Sequence, residues 1–95
     1  MNAEVIYGVF FGGNSMFTYS EDGQHFLGCR VNTFGKVQVV YDRQGSKHRV
    51  YDVETPNVST SIVFDTIKDA VKQKRVMPAV FAALSSKNIH LRESL

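Results

Sequence analysis

The chain has 95 residues, of which 43% are hydrophobic and 21% charged, and its formal net charge is +2. This composition is that of one globular domain and excludes a disordered chain, and so small a net charge excludes duplex-DNA binding by bulk charge alone. Cys29 is the only cysteine, which excludes an internal disulfide. The start of the chain lacks the basic region of a signal peptide, and the apolar run 76–84 is about half as long as a membrane span. We therefore expect a cytoplasmic protein that does not enter a membrane.

Residues 1–55 have the pattern of a β-rich segment. β-branched and aromatic residues are interrupted by turn residues such as Asp22-Gly23 and the stretch 32–35. The strands are predicted over residues 4–11, 16–20, 25–31, 36–42 and 48–53. The connections are too short for parallel crossovers, which need about a dozen residues, so the strands form an antiparallel meander. Pro56 ends the sheet, because proline cannot donate to a strand ladder.

Residues 59–87 have the pattern of helix. Ser59, Thr60 and Ser61 are candidate N-caps, and apolar residues recur at helical spacing after them. A second apolar stripe covers positions 77, 80, 81 and 84, and we expect Phe81 to be buried there. Pro78 breaks or restarts the helix, so the pattern leaves open whether the segment is one kinked helix or two. Residues 88–91 fit either an edge strand or an ordered tail.

These elements predict one α+β domain over residues 1–95. About five strands form a curled antiparallel β-meander, and a kinked or paired C-terminal helix packs against one face of it. The apolar face of the helix and that of the sheet each need the other for burial.

The hairpin VYDRQGSKHRVYDV (40–53) carries most of the charge in its neighbourhood. The candidate binding residues are Arg43, Lys47, His48, Arg49 and Tyr51. Strand alternation places Arg49 and Tyr51 on one face, where a cation beside an aromatic ring suits a nucleotide or a single-stranded nucleic acid. The alternative is that the charge keeps a protruding hairpin soluble and that Tyr51 packs within the sheet.

Two further motifs have structural explanations. The basic run KQKR (72–75) resembles a basic patch or a localisation tract, but cations at the end of a helix also complement the helix dipole. The glycine loop 11–15 lacks the spacing of a phosphate-binding loop and is predicted to be a turn.

The soft metal-ligand candidates are His25, His48, His90 and Cys29. Their spacing matches no metal motif, so we expect no metal and no cofactor, and Cys29 is predicted to be a small core residue.

The stretch VFFGGNSMFT (9–18) is similar to the first hairpin of a family of small antitoxins from T4-type phages, which block a host RNA-cleaving toxin. The resemblance covers about ten residues and includes no functional motif. It implies a small phage-encoded inhibitor.

Without a catalytic constellation, the sequence favours a small non-enzymatic binding module. The first hypothesis is a stoichiometric inhibitor or adaptor that docks on a protein partner through sheet edges, exposed aromatic rings and the basic hairpin. The second is an anion-binding module for single-stranded nucleic acid or a nucleotide signal. The third is a metal-independent ribonuclease that uses His48, Arg43, Arg49 and Tyr51. A homodimer is a further hypothesis, because a domain this small buries more apolar surface when two copies associate.

Overall fold

A computed structural model describes residues 15–20, 23–43 and 49–94. These residues form a five-stranded antiparallel sheet and two helices, which confirms the predicted α+β class. The elements are β1 (Ser15–Tyr19), β2 (His25–Val31), β3 (Val37–Arg43), β4 (Arg49–Val53), α1 (Thr60–Ala70), α2 (Val76–Ser85) and β5 (Leu91–Glu93). The strands lie in the order β1-β2-β3-β4-β5. The predicted strand 4–11 and most of the glycine loop lie outside the described residues.

The turn between β2 and β3 is fixed by its own side chains and backbone. The Asn32 Oδ1 accepts hydrogen bonds from the backbone N–H groups of Phe34 and Lys36, both at 2.9 Å. Gly35 has φ +78°, a conformation that costs glycine little and other residues more. Local turn chemistry therefore ends β2 and starts β3 close to where the sequence predicts.

Both helices cover one face of the sheet, and the main apolar core lies between these two layers. The core residues of the sheet include Leu27, Cys29, Val39, Tyr51 and Val53, and those of the helices include Val63, Ile67, Val80 and Leu84. The prediction that Cys29 is a core residue is confirmed, and its Sγ lies 3.4 Å from the Thr60 carbonyl oxygen. The prediction that Phe81 is buried is wrong. Phe81 is 39% exposed, although its ring packs edge-on against Tyr51.

The helical segment consists of two helices rather than one kinked rod. Ser59 is the N-cap of α1, and its Oγ accepts a hydrogen bond from the Ile62 N–H at 3.3 Å. α2 begins at Val76, so Pro78 lies in its first turn. Proline is tolerated there but clashes with a helical carbonyl four residues earlier, which explains why the chain leaves the helix before Val76. Neither helix is long and apolar enough to cross a membrane.

A fifth strand forms at residues 91–93, later than the predicted stretch 88–91, with which it shares only Leu91. β5 pairs with β4, with Glu93 opposite Tyr51. Thr55 holds the preceding turn in place, because its Oγ1 lies 3.2 Å from the Asn88 carbonyl oxygen and 3.0 Å from the His90 N–H nitrogen. This pairing places Glu93 and Ser94 beside the first residues of β4, at one end of the sheet.

Candidate functional site

A groove of about 710 Å³ lies between one end of the sheet and the junction of the two helices. The start of β2, the end of β3 and the start of β4 form one wall. The turn between α1 and α2 and the first residues of α2 form the other. Four cationic side chains line it: Arg43, Arg49, Lys74 and Arg75. We call this feature the basic groove.

The strand register explains how four residues of the sheet reach the basic groove together. His25 lies opposite Arg43 across β2 and β3, and Tyr41 lies opposite Arg49 across β3 and β4. Residues two apart on a strand point to the same face, so Tyr41 and Arg43 share that face as well. The result is a block of two aromatic rings and two guanidinium groups at the end of the sheet.

His25 and Tyr41 form a stacked pair within this block. The His25 Nδ1 lies 2.6 Å from the Tyr41 hydroxyl oxygen, and the two rings are 5.8 Å apart at an interplanar angle of 20°. Burial raises the pKa of Tyr41, and the charges of Arg43 and Arg49 act against this shift. Both guanidinium groups therefore lie close enough to influence the Tyr41 phenol.

Tyr51 does not present its ring to solvent. It is 5% exposed, and its ring packs edge-on against Phe81 with centroids 5.2 Å apart. Interaction with the Tyr51 side chain, chiefly by hydrogen bonding, raises the pKa of Arg49, whose own side chain is exposed. Arg49 and Tyr51 share a face as the sequence predicts, but the Tyr51 ring is buried and offers no platform to a ligand.

The basic run 72–75 contributes two residues that the sequence analysis assigned to a helix end. α1 ends at Ala70, so the whole run lies in the turn that follows it. Lys74 and Arg75 line the basic groove from there. The first backbone N–H groups of α2 start at the same point, and such groups have no acceptor within their own helix. No local sequence signal connects this turn with the hairpin more than twenty residues earlier.

Lys47 and His48 lie in the segment 44–48, outside the described residues. Among the residues that are described, Glu93 is the one carboxylate that lines the basic groove. The one ion pair that joins two described residues is Lys68 with Asp65, at 3.3 Å, on the exposed side of α1. Within the described ranges no group of three or more His, Cys, Asp and Glu residues could hold a metal ion.

Comparisons of the chain with protein-family models, with curated proteins and with solved structures find no match.

Proposed function

We propose that the protein is a small cytoplasmic binding module that holds a phosphate-bearing ligand in the basic groove. One observation carries the proposal: two basic clusters that are distant in sequence line the same groove. Arg43 and Arg49 come from the hairpin, and Lys74 and Arg75 come from the turn between the helices. Guanidinium groups match phosphate oxygens with two parallel hydrogen bonds, and lysine adds a mobile point charge.

Two further features of the basic groove suit an anion. The N-terminus of α2 carries partial positive charge, and the N–H groups of Val76 and Met77 in its first turn have no acceptor within their own helix. The volume of about 710 Å³ falls within the range of pockets that hold small molecules, roughly 300–1,000 Å³. Inorganic phosphate alone would leave most of this space empty, so a larger phosphate ester is the better fit.

The decisive experiment compares two lysines of the same turn. Both lysines are exposed, but Lys74 lines the basic groove and Lys72 does not. Calorimetry with adenosine diphosphate as the probe should give a dissociation constant for the wild type that Lys74→Ala weakens by about tenfold, as expected for the loss of one charge-assisted contact. Lys72→Ala should stay within about twofold.

The hairpin arginines provide a second arm of this test. Arg43→Ala with Arg49→Ala should weaken binding by more than either change alone, while Lys36→Ala, at the other end of β3, should not. Binding should also weaken as salt rises, because exposed charges are screened. No measurable binding by the wild type, or equal losses in Lys72→Ala and Lys74→Ala, would contradict the proposal.

A second candidate function, docking on a protein partner, is favoured by Phe34. Its side chain is 92% exposed at the tip of the β2–β3 turn, which Asn32 and Gly35 hold in place. A fixed aromatic ring of this kind is a typical anchor for a partner pocket. If this surface is used, a protein captured by the wild type should be lost with Phe34→Ser and retained with the neighbouring change Lys36→Ala.

A further inference from the structure

We infer that the ligand of the basic groove is a small nucleotide whose base lies between an aromatic and an apolar wall. This inference rests on the proposed function and names its ligand class. Phosphate recognition needs only the cations, yet the groove is also lined by rings and apolar side chains. Those residues require an explanation of their own.

The two walls lie on opposite sides of the groove. On the sheet side, His25 and Tyr41 form their stacked pair, and each ring is half-buried rather than covered. On the helix side, the first turn of α2 contributes the exposed Pro78 and the edge of Met77, most of which is buried in the core. A flat nucleobase is the part of a nucleotide that packs against aromatic and apolar surfaces of this kind.

The cations flank the aromatic pair closely enough to serve the same ligand. Arg43 is the cross-strand neighbour of His25, and Arg49 is that of Tyr41. Neighbouring side chains on one face of a sheet have their Cβ atoms roughly 5 Å apart. A base against the rings therefore leaves the phosphate of the same nucleotide within reach of the guanidinium groups.

The distribution of charge favours a mononucleotide over a nucleic-acid strand. The groove concentrates four of the eleven Lys and Arg residues, while the net charge of the chain is only +2. A strand that passes beyond the groove needs a continuous track of cations. A nucleotide needs only the local cluster that the groove supplies.

The test distinguishes the contribution of the base to affinity from that of the phosphate. Adenosine monophosphate and ribose 5-phosphate share the sugar and phosphate and differ by the base. Stacking on an aromatic side chain is worth about 1–3 kcal/mol per base, so adenosine monophosphate should bind about 5- to 150-fold more tightly. Calorimetry under one set of buffer conditions measures both constants.

Variants of Tyr41 assign the preference to the aromatic wall. Tyr41→Leu should remove most of the preference for adenosine monophosphate and leave the affinity for ribose 5-phosphate within about twofold. That unchanged affinity also shows that the variant is folded. Tyr41→Phe keeps the ring and loses the hydroxyl that contacts His25, so it should retain the preference. Phe34→Leu, which alters an exposed ring outside the groove, is the matched control.

The outcomes distinguish this inference from the proposed function. Equal binding of the two ligands overturns the nucleobase wall and leaves phosphate binding intact. A preference that survives Tyr41→Leu also overturns it. An oligonucleotide that binds more than about a hundredfold more tightly than adenosine monophosphate overturns the choice of a mononucleotide. If neither small ligand binds, the proposed function fails as well.

Discussion

Removing the one carboxylate of the basic groove should strengthen anion binding. Glu93 lies on β5 opposite Tyr51. The pKa of Arg49 is raised by its hydrogen bond with Tyr51 and, less strongly, by the charge of Glu93. Four cations and one carboxylate give the described lining a formal charge of +3 with neutral histidine, and Glu93→Gln changes this to +4 while keeping the shape of the side chain. Gains of affinity are a strict test, because nonspecific damage to a protein rarely produces them.

Coulomb's law sets the size of the gain. For a doubly charged phosphate about 8 Å from the lost carboxylate, the energy in water after screening is about 0.5 kcal/mol at 0.1 M salt and about 0.8 kcal/mol at 0.01 M. These values correspond to gains of about twofold and about fourfold in affinity. At 1 M salt the screening length is about 3 Å and the gain should disappear.

Calorimetric titration with adenosine monophosphate at pH 8 and three salt concentrations would measure this effect. Glu54→Gln is the matched control, because Glu54 is exposed and does not line the basic groove. Equal affinities for the wild type and Glu93→Gln at 0.01 M salt would show that the anion binds elsewhere. A weaker Glu93→Gln would show that the carboxylate contacts the ligand directly.

Three predictions concern the stability of the folded domain that contains the basic groove. Leu84→Ala should lower the free energy of unfolding by about 3–5 kcal/mol because Leu84 is fully buried, whereas Phe81→Ala should cost about 1–2 kcal/mol because its larger ring is 39% exposed. Urea unfolding measures both, and a greater cost for Phe81 contradicts the packing. Burial raises the pKa of the Cys29 thiol to about 12 from 9.0, so the stability that its neutral form contributes is present below pH 9 and lost as pH rises toward 12. Unfolding free energies should fall more steeply above pH 9 for the wild type than for Cys29→Ala, and equal slopes would refute this. Ser59→Ala removes the α1 N-cap and should cost about 1 kcal/mol, while the exposed Ser61→Ala should stay within about 0.5 kcal/mol.

The central strands of the sheet were predictable because the turn residues that begin and end them lie next to them in the sequence. β2 begins and ends where the sequence predicts, since turn residues bracket it on both sides. Gly23 and Gly35 both adopt positive φ in those turns. The end of α1 was not predictable in the same way, because nothing in the run 72–75 stops a helix. Pro78 predicts a break near Lys74, whose carbonyl its ring would meet in a continuous helix, but it does not place the end of α1 at Ala70.

The candidate site was only half predictable. Alternation correctly places Arg49 and Tyr51 on one face, but it does not say how far along β4 the helices extend. α2 covers Tyr51 and leaves Arg49 exposed, although the two residues are only about 7 Å apart along the strand. The position of Lys74 and Arg75 in the basic groove depends on how the two helices pack on the sheet. Helical and strand periodicity in the sequence does not predict that packing.

Bringing four cations together in the basic groove costs electrostatic free energy, and this cost favours a role in binding a ligand. Like charges brought together destabilise a folded chain, and the groove gathers its cations from β3, β4 and the turn between the helices only when the protein is folded. The sequence has nine acidic residues that could offset them. Yet Asp65 pairs with Lys68 on α1, Asp52 accepts a hydrogen bond from Gln38, and in the described lining only Glu93 faces the cations. Proteins depart from the most stable arrangement chiefly at functional sites. A bound phosphate would place negative charge among the four cations of the described lining, so ligand binding should also raise the melting temperature of the protein.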